Sequence, residues 1–66
     1  MRVILNGRER DLPDGAVVVD AVRVTGAAQQ GVAVAIDGEV VPRAGWERVV
    51  LCDGQRIEVV QAVQGG

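Results

Sequence analysis

The chain alternates short apolar stretches with turn-forming pairs, and the spacing of the two sets its architecture. Arg2 to Asn6 carries the alternation of a half-buried strand, and Asn6-Gly7 is a strong two-residue hairpin signal. Arg8 to Leu12 returns as the second arm, and Pro13-Asp14-Gly15 closes it with another turn. From Ala16 to Thr25 two signals compete. Three consecutive valines favour a strand by propensity, yet Val18, Ala21, Val22 and Thr25 recur at the spacing of one helical face, with Arg23 pointing away. A short helix over Ala16 to Thr25, stopped by Gly26, is the reading adopted. The first hairpin needs something to cover its apolar side, and no other segment can do so.

Gln29-Gln30-Gly31 reads as a loop and Val32 to Ile36 as a strand. Asp37-Gly38 then makes a hairpin turn into the short strand Glu39 to Val41, which Pro42 ends. Ala44 to Val50, containing Trp46, is expected to be an irregular or one-turn helical crossover. After the Asp53-Gly54 turn, Arg56 to Val63 is expected as the last and longest strand, and Gln64-Gly65-Gly66 as a tail. The sequence thus predicts an α+β fold, with a five-stranded mixed sheet and one short helix packed on one face. Residues 1–66 are expected to form a single domain, of which 63–66 are an extended tail. Glycine loses the most entropy on ordering, so that tail is expected to be mobile.

At 66 residues a domain has a marginal core and often depends on disulfides or metals. One cysteine and no histidine supply neither, so the core must be aliphatic, and 48% hydrophobic content allows that. Trp46, the only aromatic, is read as a core plug. The longest uncharged run, Val24 to Ile36, contains glycine and two glutamines, so no membrane span is expected. Met1 to Asn6 is too short for a secretory leader and is followed at once by charge, so a cytoplasmic location is expected. The net charge is −2, and all seven basic residues are arginines. No basic run interleaved with aromatics is present, which argues against nucleic acid as a partner. Glu9, Arg10, Glu39 and Glu58 read as solvated strand faces.

The residues of an ordinary active site are missing. There is no histidine for acid–base work, the acids are scattered, and neither GxxxxGK[ST] nor GxGxxG occurs. Cys52 has no histidine to activate it and reads as a small, partly buried residue. No catalytic residue of its own, metal or bound cofactor is expected. What remains is Gly65-Gly66, directly after a strand. A carboxylate is a poor electrophile, but joined to AMP it becomes a mixed anhydride with a good leaving group. A sulfur nucleophile can then attack and leave a thiocarboxylate. Two glycines without Cβ would let the backbone thread a narrow channel in another protein, with Val63 and Gln64 holding the arm to the body.

The ordered set Val3-Ile4-Leu5-Asn6-Gly7, Val34-Ala35-Ile36-Asp37-Gly38-Glu39-Val40-Val41-Pro42-Arg43, Trp46, Asp53-Gly54 and Gly65-Gly66 resembles the ThiS family over the whole length. Those are the sulfur carriers of thiamine biosynthesis, with the ubiquitin-like β-grasp fold. The resemblance implies that Gly66 is adenylated by a ThiF-type E1-like enzyme using ATP and becomes a thiocarboxylate. A sulfur-donating enzyme would feed it, and a ThiG-type thiazole synthase would receive the sulfur. The protein would be a monomer when free. The segment Val17 to Val22 departs from the family in having few Leu and Glu, which bears on the helix boundaries.

Strand alternation puts Met1, Val3, Leu5, Val34, Ile36, Ile57 and Val59 toward the helix. Ile4, Ala33, Ala35, Val60 and Ala62 then share the opposite face, apolar but built mostly of small residues. Such an exposed face on a small protein is read as the partner-docking surface. Arg43 either anchors the crossover or pairs with a partner's acid; the sequence leaves both open. Three other classes stay open beside the thiamine carrier: a carrier resembling the small subunit of molybdopterin synthase, a ubiquitin-like modifier, and an interaction domain with an accidental Gly-Gly end. The lack of lysine means that no chain of the protein could be built on its own lysines.

Overall fold

A computed structural model describes residues 1–61. Strand β1 (Arg2–Leu5) pairs antiparallel with β2 (Arg8–Asp11) in the register Val3↔Arg10 and Leu5↔Arg8. The turn between them places Asn6 at φ 51° and Gly7 at φ 83°, the doubly left-handed geometry that matches the twist of a two-residue hairpin. Asp37 at φ 50° and Gly38 at φ 87° repeat it between β3 (Val32–Ile36) and β4 (Glu39–Val41). Strand β5 (Arg56–Gln61) lies in the middle, parallel to β1 and antiparallel to β3, giving the order β2-β1-β5-β3-β4. This is the mixed five-stranded sheet expected from the sequence. The last strand was expected to run to Val63; residues 62 and 63 lie outside the described ones.

Helix α1 (Val18–Thr25) starts two residues later than the periodicity suggested. The physical reason is a competing partner. Val17 forms an antiparallel bridge with Val50, and the Leu51 N–H donates to the Ala16 carbonyl at 2.9 Å, so this stretch is extended. The valine run therefore divides between strand-like and helical backbone. The first helical amides are satisfied by donation from Val18 to the Val49 carbonyl (3.1 Å) and from Val19 to that of Trp46 (2.9 Å). Asp20 folds back, its Oδ2 accepting from the Val17 N–H at 2.9 Å, and its charge suits the helix N-terminus. Gly26, at φ 78°, ends the helix as expected.

The helix seals one face of the sheet. Val3, Val18, Val22, Val34 and Ile57 are fully buried, with Leu5, Leu12, Ala16, Val19, Ala21, Leu51 and Val59 around them. Met1 and Ile36 pack against this cluster from its edge. Trp46 is 3% exposed and donates its Nε1–H to the Val41 carbonyl at 3.0 Å, which fits the expected plug. It sits just after a one-turn 3-10 helix, Arg43–Gly45, within the expected crossover.

Candidate functional site: the tail end of the sheet

Because β1 and β5 run parallel, both point to one end of the sheet, and residues 62–66 continue the chain from that end. Strand β5 is held to its last described residue. Its register with β3 runs from Ile36↔Ile57 to Val32↔Gln61. On the other side β1 stops at Leu5 while β5 goes on, and Asn6 fills the gap. The Val59 N–H donates to Asn6 Oδ1 at 2.8 Å, and Asn6 Nδ2 donates to the Val59 carbonyl at 3.2 Å. A side-chain amide thus continues the ladder where the backbone turns away. The sequence identified Asn6 only as a turn residue; nothing in the local pattern signals this second role, which depends on β5 lying beside it.

Of the site residues read from the sequence, Ile4, Ala33, Ala35 and Val60 are placed. Ala62, Val63, Gln64, Gly65 and Gly66 lie outside the described residues. All four placed residues are on the face away from the helix, but they do not form one patch. Val60, 56% exposed, is paired with Ala33. Ala35 lies between Glu58 and Val40, and Val40 is 72% exposed. These make a small apolar surface beside the tail end. Ile4 is set apart, flanked in register by Glu9 and Arg56. Val40 belongs to the patch although the sequence reading did not assign it. The signal was available: a two-residue turn at Asp37-Gly38 puts Val40 opposite Ala35.

The far edge of this face is charged and internally satisfied. Arg2 reaches across the β1–β2 pair to Asp11 (3.2 Å from Nε) and Glu9 (3.3 Å). Hydrogen bonding from Arg2, then its charge, holds the Asp11 carboxyl below its ordinary range, and Asp11 in turn raises the Arg2 guanidinium. Arg43 lies over the Trp46 ring at 5.3 Å, so within the described residues it anchors the crossover.

Cys52 is exposed, not partly buried as the sequence suggested. Leu51 fills the core position, and the chain then turns outward, the Cys52 N–H donating to Gln55 Oε1 at 2.8 Å. The thiol precedes β5, at the end of the sheet opposite the tail. Among the described residues no group of three or more His, Cys, Asp or Glu could hold a metal, and no helix is long and apolar enough to cross a membrane.

Known proteins share this arrangement. The model of the ThiS family matches residues 3–66. The sulfur carrier protein ThiS of Escherichia coli is 29% identical, over the full length of both chains. A thiazole synthase of Paramagnetospirillum magneticum is 30% identical over all of this chain, which spans 20% of that protein's length. The crystal structure of the thiamine biosynthesis protein ThiS of Geobacter metallireducens superimposes with a TM-score of 0.82 at 25% identity, covering both chains completely. Its solution structure gives 0.77 at 26% identity, over all of this chain and 88% of that one. With a central strand leading to a Gly-Gly end, and with the family's pattern along the whole chain, the protein belongs to the ThiS family, small sulfur carriers of thiamine biosynthesis that are not themselves catalysts.

Proposed function

We propose that the carboxylate of Gly66 is the point of sulfur attachment. A carboxylate oxygen attacks the α-phosphorus of ATP in the active site of a ThiF-type E1-like enzyme, and pyrophosphate leaves. In the resulting acyl-adenylate the carbonyl carbon is activated. A sulfide-level nucleophile from a sulfur-donating enzyme adds to it, and AMP departs with the bonding pair, giving the thiocarboxylate. A ThiG-type thiazole synthase then takes the sulfur. Every one of these steps occurs in a partner's active site, and this chain supplies the arm and the surface that positions it. Val63, Gln64 and Gly65 thread the channel, and Val60 with Ala33, Ala35 and Val40 forms the contact at its mouth.

The observation that carries this reading is the end-to-end match to a sulfur carrier protein, on a fold whose central strand ends at Gln61, shortly before Gly65-Gly66 in the sequence. The partner reading draws support from the Paramagnetospirillum thiazole synthase, in which a segment like this chain is part of the synthase polypeptide. Residues that belong to one chain in one organism are natural partners when they are separate in another.

Intact mass spectrometry of the protein from its own cells tests the reading. A species about 16 Da heavier than the unmodified chain, removed by thioacid-specific alkylation, is expected. Where only the unmodified mass is found, the protein is incubated with the activating enzyme and ATP. Absence of the acyl-adenylate there as well would overturn the reading.

A further inference from the structure

Strand β2 is charged at every position, and its two faces are treated differently. On the open face of the sheet, Glu9 and Asp11 are engaged by Arg2. On the helix side, Arg8 and Arg10 stand opposite Leu5 and Val3, and neither has a carboxylate within ion-pair distance among the described residues. Both are exposed. With Leu5, Asn6 and Thr25 they line a shallow hollow of about 180 Å³ that contains no acid. The carbonyls at the end of α1 do not recruit them either. The Thr25 hydroxyl donates to the Val22 carbonyl at 2.6 Å, and the Gly26 N–H to that of Arg23 at 3.0 Å. Two free guanidiniums side by side on a chain of net charge −2 form a local positive site on an otherwise acidic molecule.

Its position is as informative as its charge. Arg8 directly follows the Asn6-Gly7 turn, and Asn6 clamps β5 at Val59, two residues before Gln61, the last described residue. The hollow therefore sits at the end of the sheet from which the tail continues, on the opposite face from Val60. A partner that swallows the tail must surround this end, and it meets Val60 on one side and the arginines on the other.

We propose that Arg8 and Arg10 form a second docking site, which receives an acidic surface at the mouth of the active site that takes the tail. This rests on the carrier reading given above. A protein surface fits better than a long polyanion, because a polyanion reaching beyond the hollow would meet a chain of net charge −2, whereas a local acidic patch meets only the two cations. Arginine suits the role because its planar fork can take a carboxylate bidentately.

The experiment measures association of the full chain with its cognate activating enzyme and thiazole synthase across a series of ionic strengths. The variants are the double Arg8→Gln/Arg10→Gln and the reversal Arg8→Glu/Arg10→Glu, each first confirmed folded by circular dichroism and thermal melting. The neutral pair guards against loss of the hairpin in a variant that makes β2 wholly acidic. The expected result is that the neutral variant associates about tenfold more slowly at low salt with at least one partner, and that the difference closes near 0.5 M salt. The reversal variant is expected to be slower still. Unchanged rates and an unchanged salt slope with both partners would overturn the second site while leaving the carrier reading intact. Loss of oligonucleotide binding with no change toward either protein would overturn it too, in favour of nucleic acid. Failure of the unmodified chain to bind either partner would overturn both readings together.

Discussion

The two faces of the sheet share the same strands and the same alternation, yet they are built from different residues. The helix-covered face presents Val3, Leu5, Val34, Ile57 and Val59, all buried. The open face presents Ile4, Ala33, Ala35 and Val60 among Arg2, Glu9, Asp11, Arg56 and Glu58. On the first, branched aliphatics interlock permanently with α1. On the second, small side chains offer little apolar area, and charged residues surround them. Under the proposed function, the difference suits a carrier that binds one enzyme, releases it and binds the next. Permanent burial sustains the fold, and under the proposed function a modest apolar patch at that end of the sheet would keep each encounter reversible.

The sharpest test of that division is a pair of substitutions three residues apart on β5, one on each face. Ile57→Ala on the covered face removes a fully buried side chain at the junction of β1, β5 and β3. Loss of the apolar contacts plus the cavity left behind costs about 2–5 kcal/mol. A core of this size rarely supplies more than about 3–5 kcal/mol in total. The variant is therefore expected to be largely unfolded at room temperature, as read by urea titration against the parent chain. A cooperative transition with an unchanged midpoint would break the comparison at its stronger side.

Val60→Asp on the open face should behave in the opposite way. The side chain is more than half exposed, so the change should cost no more than about 1 kcal/mol, chiefly through strand propensity. A carboxylate buried against a partner without a counter-charge is a different matter, and adenylation by the activating enzyme is expected to fall about tenfold or more. Ile4→Asp sharpens the point. Ile4 is flanked by Glu9 and Arg56, away from the Val60 patch, and its variant should be activated better than the Val60 one. Equal losses would extend the docking surface across the whole face. Normal thiocarboxylate formation by folded Val60→Asp would remove the docking role from it.

Most of this contrast was legible in the residues. Period-two alternation assigned the inner and outer faces, and the Asn-Gly and Asp-Gly pairs fixed two hairpin registers, because each signal is local. The features that were not legible depend on partners distant in sequence. Ala16 and Val17 were expected to be helical and are extended, since Val50 and Leu51 compete for them. Asn6 bonds to Val59, across 53 positions. Cys52 was expected to be partly buried, but Leu51 beside it takes the core position and only one of two neighbours can face inward there. The candidate site was half legible. The face was found, but its division into a Val60 patch and an isolated Ile4 follows from the register of β5 against β1, which no local pattern encodes.

The smallest effect expected lies at the charged edge of the open face, where the arginine–carboxylate pairs are fully exposed and little stability is at stake. Hydrogen bonding from Arg2 lowers the Asp11 pKa in the folded protein relative to the unfolded chain. A group with a depressed folded pKa contributes stability that is present above its unfolded value, near 4, and is lost as pH falls through the folded one. Asp11→Asn should therefore lower the urea midpoint slightly at pH 7, and the difference from the parent should shrink as pH falls through the depressed folded value. Salt should shrink the pH 7 difference, because the pair is open to solvent. A large loss at pH 7 that persists in high salt would show that β2 depends on this edge pair for its place in the sheet. The open face would then be as structural as the covered one, and the contrast between a permanent and a reversible side would fail at its charged border.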